Sequence, residues 1–256
     1  MNGGIVVSME TIRFKGDSAT RRRFYQAESF AHPAKMHIGL FLEMIHRYAK
    51  PGDWLVDPMA GSGTVLLAAQ YGINVIANEL ESHFILPMRA SWEKIQVNGP
   101  ALGHIMGSVT IIQGDARALP LLSADCVITS PPFQDQEATK AGKFADPVES
   151  ARIQSNNYRT GSSKGHFASA EAILRDMDRQ QPYPRTSLTN IGNMRGERYW
   201  GEEGMTSVYH ECWRVLRPGG ILALVLKGFT RNGQYVDLPG QTEALLLAAG
   251  WLKHDE

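Results

Sequence analysis

The sequence lacks the features that mark a secreted, membrane-spanning or metal-binding protein. Its two cysteines, Cys126 and Cys212, stand in apolar surroundings without Cys-x-x-Cys or Cys/His spacing, so we expect buried apolar side chains rather than a disulfide or metal ligands. The longest apolar run, 221–226, is far shorter than the roughly 20 residues of a membrane-spanning helix, and the signal-peptide pattern is missing. We therefore expect a cytoplasmic protein with no metal and no membrane partner.

The chain also lacks an excess of positive charge. Lys+Arg 26 equal Asp+Glu 26, which removes the simplest argument for a nucleic-acid partner. Arginines are nevertheless concentrated in the run 21–23 and in the long segment 134–200, although a solvated surface accounts for any one of them.

Strand and helix patterns alternate along most of the 256 residues, and this length fits a single domain, 1–256. Alternation of this kind produces a doubly wound α/β fold with a parallel sheet. Short apolar runs predict five strands, at 54–57, 74–77, 109–113, 124–129 and 221–227. Helical spacing predicts helices at 38–48, 65–71, 82–97, 208–216 and 242–249, with 217–220 as a turn.

The alternation stops at 134–200, a segment with several glycines, prolines and asparagines. Long irregular segments inside a compact domain are usually functional or mobile. The segment carries arginine, lysine and asparagine, which are residue types that read phosphates and base edges. We treat 134–200 as a candidate target-recognition element, with a loop of no specificity role as the alternative.

A glycine-rich loop joins the first strand to the next helix: Asp57, Pro58, Met59, Ala60, Gly61, Ser62, Gly63 and Thr64. Glycine residues have no side chain, so a ligand can approach the backbone of such a loop and the free N–H groups at the start of the helix that follows. The loop lacks the Gly-Lys-Ser/Thr of a phosphate loop and the third glycine of a dinucleotide loop, so a ligand without pyrophosphate fits better. Glu79 ends the second strand, where an acid accepts hydrogen bonds from ribose hydroxyls.

A second motif, Ser130, Pro131, Pro132 and Phe133, follows the fourth strand. Together the two motifs resemble the S-adenosylmethionine-dependent amino-methyltransferases of DNA, with DPFxGSGT as cofactor loop and [DNS]PP[YFW] as catalytic loop. The first motif matches except for Met59 in place of Phe, and the second matches fully. We name 57–64 the cofactor loop and 130–133 the catalytic loop.

The resemblance implies a class I methyltransferase sheet of strand order 3-2-1-4-5 and S-adenosyl-L-methionine as cofactor. It also implies that Glu79 binds the ribose, that Asp115 with Ala116 meets the adenine, and that the segment 32–36 closes the methionine end of the pocket. A role in DNA methylation within restriction–modification is a further implication.

The catalytic loop suits chemistry at an exocyclic amino nitrogen, whose lone pair is delocalised into the ring. A side-chain acceptor at Ser130 and the carbonyl of Pro131 can each take an amino hydrogen, while consecutive prolines fix the direction of that carbonyl. Phe133 would stack on a base that has left the duplex. Serine at the first position favours cytosine N4 over adenine N6, although many cytosine-N4 enzymes have the two loops in the opposite order.

The predicted function is therefore methylation of a base amino group in DNA. RNA as substrate and a cofactor-binding remnant without activity are the alternatives. Only 251–256 follow the last predicted helix, so the last two strands of the seven-stranded family sheet have no room. We expect either a fragment of a longer protein or an open edge at 221–227 covered by another segment, with 199–200 or 234–238 as candidates, or by a second subunit.

Overall fold

The apolar runs of the sequence form the strands of an α/β sheet in the computed structural model, which describes residues 12–27, 35–120, 123–133, 190–231 and 233–254. The larger part of the predicted target-recognition element, 134–189, lies outside these residues. The described α-helices are α1 (Ser18–Phe24), α2 (Ile38–Tyr48), α3 (Ser82–Asn98), α4 (Gly196–Trp200), α5 (Met205–Val215) and α6 (Leu238–Ala248). The strands are β1 (Trp54–Asp57), β2 (Asn74–Glu79), β3 (Val109–Gln113), β4 (Ala124–Thr129), β5 (Leu216–Leu224), β6 (Phe229–Arg231) and β7 (Gln234–Val236).

Strands β1 to β5 form one sheet of order β3-β2-β1-β4-β5, in which every pair is parallel. The chain winds outward from β1 through β2 to β3 and then crosses to β4 on the other side of β1. This reversal of direction opens a crevice at the carboxyl ends of β1 and β4, where doubly wound sheets bind ligands. The predicted fold class and strand order are confirmed.

The sheet separates two apolar cores because successive strand residues point to opposite faces. Leu55 and Cys126 face a core that contains α2, α3 and the 3₁₀ helix Thr64–Tyr71, whereas Val56 and Val127 face a core built with α5. Cys126 and Cys212 are buried free thiols, as expected, and burial raises the pKa of each to about 12.

Several element boundaries differ from the prediction: β2 extends to Glu79, α3 extends to Asn98, and α5 and α6 begin three and four residues earlier than expected. The helix after the cofactor loop is a 3₁₀ helix that begins one residue early, at Thr64. Strand β5 was expected at 221–227 but runs from Leu216 to Leu224. The predicted turn at 217–220 lies inside that strand as an irregularity, since Ala124 pairs with Leu216 while Cys126 pairs with Ile221.

The predicted total of five strands is wrong, because the described residues contain seven. The additional strands, β6 and β7, form a separate antiparallel hairpin with the register Phe229↔Val236. Each has only three residues, which is too short for an alternating pattern to appear in the sequence. Among the described residues, strand β5 therefore lies at the edge of the main sheet, and neither 199–200 nor 234–238 pairs with it.

Within the ranges given above, no helix combines the length and the apolar character that a bilayer crossing requires. The same ranges contain no group of three or more His, Cys, Asp or Glu side chains arranged to hold a metal ion.

Candidate functional site

A cleft of about 780 Å³, part of it open to solvent, lies at the carboxyl ends of the central strands. It is lined by twelve of the residues singled out in the sequence: Asp57, Pro58, Met59, Ala60, Gly61, Ser62, Thr64, Glu79, Asp115, Ala116, Ser130 and Pro132. Gly63 of the cofactor loop and Pro131 and Phe133 of the catalytic loop do not line the cleft. Met36, Leu80, Asn190 and Ile191 complete the lining.

Glu79 ties the cofactor loop to the end of β2. Its Oε2 accepts a hydrogen bond of 2.7 Å from the Gly61 N–H, and its Oε1 accepts one of 2.9 Å from the Glu81 N–H. Burial raises the pKa of Glu79 above its usual value, and these two N–H groups oppose the shift. The carboxylate is thus fixed at the cleft wall with lone pairs left to accept hydrogen bonds from a ligand.

Asn78, the residue before Glu79 on β2, is hydrogen-bonded to the loops that follow β1 and β3. Its side-chain amide donates to the Pro58 carbonyl at 2.9 Å and to the Gly114 carbonyl at 3.0 Å. Its own backbone carbonyl accepts from the Ala60 N–H at 2.8 Å. One buried side chain therefore sets the spacing between the loops that follow β1 and β3, a role that no local pattern in the sequence indicated.

Asp57 is 4% exposed at the end of β1. Its Oδ1 accepts a hydrogen bond of 3.1 Å from the Met59 N–H, which shapes the first turn of the cofactor loop. Burial, with a further contribution from the charge of Glu79, raises the pKa of Asp57 to about 7. A positively charged ligand in the cleft would favour the ionised form.

Gly63 has a backbone role rather than a place in the cleft wall. Its φ of 81° lies in the left-handed region, which side chains rarely adopt. A Cβ on this residue would also lie 2.8 Å from Cγ of Met88 on α3. The glycine therefore lets the loop turn sharply into the 3₁₀ helix while α3 packs against it.

Asp115 lines the cleft, but its carboxylate already has a strong partner. Arg117 donates to Oδ1 through its backbone N–H and its Nε, both at 2.9 Å, and to Oδ2 through Nη2 at 2.5 Å. Partial burial raises the pKa of Asp115, yet the hydrogen bonds and charge of Arg117 outweigh burial and leave the pKa below its usual value. Asp115 is therefore held as an oriented carboxylate.

The catalytic loop leaves β4 beside the end of β5. The Ser130 hydroxyl donates a hydrogen bond of 3.2 Å to the Val225 carbonyl, so Oγ keeps its lone pairs as acceptors. Pro131 is buried, and no described residue donates to its carbonyl.

The Pro132 carbonyl accepts a hydrogen bond of 2.7 Å from the Tyr199 hydroxyl, which anchors the catalytic loop to α4. Phe133 packs on Phe229 with ring centroids 5.1 Å apart instead of entering the cleft.

Two contacts between distant parts of the chain help to close the cleft. Asn190 was expected in the target-recognition element rather than at the cofactor cleft, and Arg21 was not assigned to the cleft, whereas Met36 belongs to the segment 32–36 that was expected to close the pocket. Asn190 donates a buried hydrogen bond of 2.7 Å to Oε1 of Glu81, which places Ile191 in the lining. On the opposite side, buried Arg21 of α1 donates to the Met36 carbonyl and, at 3.4 Å, to Oγ1 of Thr64. No local sequence signal assigned Asn190 or Arg21 to the cofactor cleft, since each contact joins positions far apart in the chain. Of the segment 32–36, only Lys35 and Met36 lie within the described residues.

The charge of the lining restricts what the cleft can bind. Asp57, Glu79 and Asp115 all contribute carboxyl groups, whereas no lysine or arginine belongs to the described lining. Such a surface disfavours a polyphosphate and favours a ligand that has positive charge and hydroxyl or amino donors.

Comparison with known proteins agrees with this geometry. Residues 28–144 match the model of the UPF0020 family, described as an RMKL-like methyltransferase domain. This range is less than half of the chain, and it includes both the cofactor loop and the catalytic loop. The fold is of the class I methyltransferase type. No curated protein matches the sequence significantly.

The solved structures that this chain resembles are distant from it in sequence. TrmN from Thermus thermophilus is 16% identical over 84% of this chain, with a TM-score of 0.42, and this chain spans 50% of its length. A methyltransferase from Geobacter sulfurreducens, solved with S-adenosylhomocysteine, is 15% identical over 78% of this chain and 55% of its own, with a TM-score of 0.39. An RNA methyltransferase from Salinibacter ruber, also with S-adenosylhomocysteine, is 17% identical over 45% of this chain and 70% of its own, with a TM-score of 0.33.

Proposed function

We propose that the protein is an S-adenosylmethionine-dependent methyltransferase that acts on the exocyclic amino group of a nucleic-acid base. The observation that carries the proposal is the acid-lined cleft at the carboxyl ends of β1, β2 and β3, with the catalytic loop as its neighbouring wall. The match of residues 28–144 to a methyltransferase domain supports it.

S-adenosylmethionine fits the residues that are present. It contains adenosine without phosphates and two positively charged groups, a sulfonium and an ammonium, which suits a lining with three carboxyl groups and no described cation. Glu79 would accept hydrogen bonds from the ribose hydroxyls, and Asp115 with Ala116 would hold the adenine. Asp57 and the backbone of 60–64 would bind the methionine end.

The catalytic loop would prepare the substrate nitrogen. The cofactor supplies an electrophilic methyl group bound to a positively charged sulfur. Oγ of Ser130, which lines the cleft, would accept one amino hydrogen and the carbonyl of Pro131 would accept the other, so that the nitrogen lone pair turns out of the ring plane toward the methyl group. One amino hydrogen would leave as a proton to water.

We favour cytosine N4 in DNA as the target because the first residue of the catalytic loop is Ser130 rather than aspartate or asparagine. The hydroxyl of Ser130 donates its hydrogen bond to the Val225 carbonyl, so its oxygen would meet the substrate as an acceptor. RNA is the second candidate, since the catalytic motif resembles the Asn/Asp-Pro-Pro loops of enzymes that methylate guanine amino groups in RNA.

Transfer of a tritiated methyl group to duplex DNA and to bulk RNA, followed by digestion to nucleosides, tests the proposal. Label in N4-methylcytosine from DNA is the expected result, and label in an RNA nucleoside would select the second candidate. Label at a ring carbon or on ribose would contradict the amino-nitrogen mechanism. No label, together with binding of S-adenosylhomocysteine, would indicate a cofactor-binding remnant without activity.

A further inference from the structure

A small aromatic and basic surface adjoins the catalytic loop. After β5 the chain enters the hairpin β6–β7, whose first residue, Phe229, packs on Phe133 with ring planes inclined by 32°. Phe133 and Phe229 both border the core on the α5 side of the sheet. The hairpin is therefore attached directly to the catalytic loop.

Two cations lie over this aromatic pair. Lys227 Nζ is 5.5 Å from the centre of the Phe133 ring, and the Arg231 guanidinium is 5.1 Å from the centre of the Phe229 ring. Lys227 is exposed, and Arg231 is partly exposed. Cation–π contacts of this kind hold the charged groups over the aromatic rings.

Tyr235 on β7 adds an exposed aromatic ring to the same hairpin. Its side chain is 70% exposed although tyrosine usually buries most of its ring. It passes over Gly228, where any Cβ would collide with the ring. The backbone thus supports the tyrosine from below and leaves its outer side open.

The charge of this surface contrasts with the charge of the whole chain. Residues 225–236 contain Lys227 and Arg231 and no aspartate or glutamate, whereas the whole sequence has a net charge of zero. The cofactor cleft beside it is lined by carboxyl groups. Positive charge is thus found beside the catalytic loop, close to the acidic cleft.

We infer that the hairpin β6–β7 with Lys227 binds the nucleic-acid strand that bears the target base. Lys227 and Arg231 contact phosphates on either side of that base, and Tyr235 stacks on an adjacent base or ribose. Exposed aromatic rings interleaved with cations are typical of surfaces that bind unpaired nucleotides. This inference rests on the proposed function and assigns the binding of substrate to residues outside the cofactor cleft and outside the long segment 134–189.

Binding of a fluorescent oligonucleotide at several salt concentrations tests the inference. The double variant Lys227→Gln/Arg231→Gln should bind more weakly and reduce the slope of log affinity against log salt by about 0.9 for each phosphate that the variant no longer neutralises. Tyr235→Ala should weaken binding about tenfold, and Tyr235→Phe should restore it, because stacking needs only the ring. The control Arg47→Gln/Lys50→Gln removes two cations from the α2 side of the sheet and should leave affinity and slope unchanged.

Titration of every variant with S-adenosylhomocysteine separates this inference from the proposed function. All hairpin variants should bind it like the wild type. If the wild type methylates nucleic acid while the double variant keeps its affinity, salt slope and turnover, the hairpin does not bind the strand and the inference is wrong. If the wild type binds no oligonucleotide, the inference also fails, and absence of S-adenosylhomocysteine binding would then show that the proposed function fails with it.

Discussion

The side-chain amide of Asn190 donates a hydrogen bond of 2.7 Å to Oε1 of Glu81, a residue 109 positions earlier in the chain. Oδ1 of Asn190 also accepts from the Gly192 N–H at 2.9 Å, which begins the 3₁₀ helix Ile191–Asn193. The chain that returns after 134–189 is therefore fixed to the end of β2, where it covers the cofactor cleft.

We predict that Asn190→Ala lowers the affinity for S-adenosylhomocysteine by about tenfold or more. A hydrogen bond to a charged group contributes roughly 1.5–3 kcal/mol, and its loss would release Ile191 from the cleft wall. Calorimetric titration measures the effect. Asn98→Ala, which removes a surface amide at the end of α3, is the matched control and should keep the wild-type affinity.

Most of the cleft could be predicted from the sequence because its residues lie where a strand ends and a loop begins. Asp57, Glu79 and Asp115 all follow apolar runs, and parallel strands bring their carboxyl ends to one edge. Asn190 and Arg21 could not be found in this way, because their partners are set by tertiary packing rather than by local pattern. The hairpin β6–β7 was missed because three-residue strands leave no periodicity to detect.

Gly63→Ala should lower the free energy of unfolding by more than the left-handed φ alone would cost. The left-handed φ costs about 1–2 kcal/mol for any L side chain, and the added Cβ would approach Met88 closely. Gly52→Ala is the matched control, because Gly52 has a φ of 93° and open space around its Cβ position. Thermal unfolding of both variants measures the difference, and equal losses would show that the contact with Met88 is unimportant.

The stability of the cofactor-free protein should depend on pH through Asp57. Its folded-state pKa is about 7, well above the value of about 3.9 in an unfolded chain. Between these two values the folded state keeps a proton that the unfolded state has lost. The contribution of Asp57 to the free energy of unfolding therefore decreases as the pH rises from 4 to 7, by about 2–4 kcal/mol.

Urea unfolding of the wild type and of Asp57→Asn at pH 4.5 and pH 7 isolates this contribution, because the other carboxyl groups titrate in both proteins. We expect the wild type to lose more stability than Asp57→Asn between the two pH values. Parallel pH profiles would show that Asp57 is ionised in the folded protein, contrary to the effect of its burial.

Ser130→Ala should lower turnover by about 10²–10⁴-fold, the usual cost of removing a positioned group that acts on the reacting atom. Affinity for S-adenosylhomocysteine should change little, because the hydroxyl is assigned to the substrate nitrogen. Ser207→Ala removes a hydroxyl from α5 and should keep full turnover. Full turnover of Ser130→Ala on every base tested would show that the amino-nitrogen mechanism is wrong.

Binding of S-adenosylmethionine by the cofactor loop is the central claim made for this protein. Calorimetric titration of the wild type, Asp57→Ala and Gly61→Arg with S-adenosylhomocysteine tests it most directly, with circular dichroism as the control for folding. We predict that the wild type binds and that both variants lose binding while they keep their secondary structure, because the loop lies at the strand ends and outside the packed sheet. Wild-type affinity in both variants would contradict the assignment of the cofactor site.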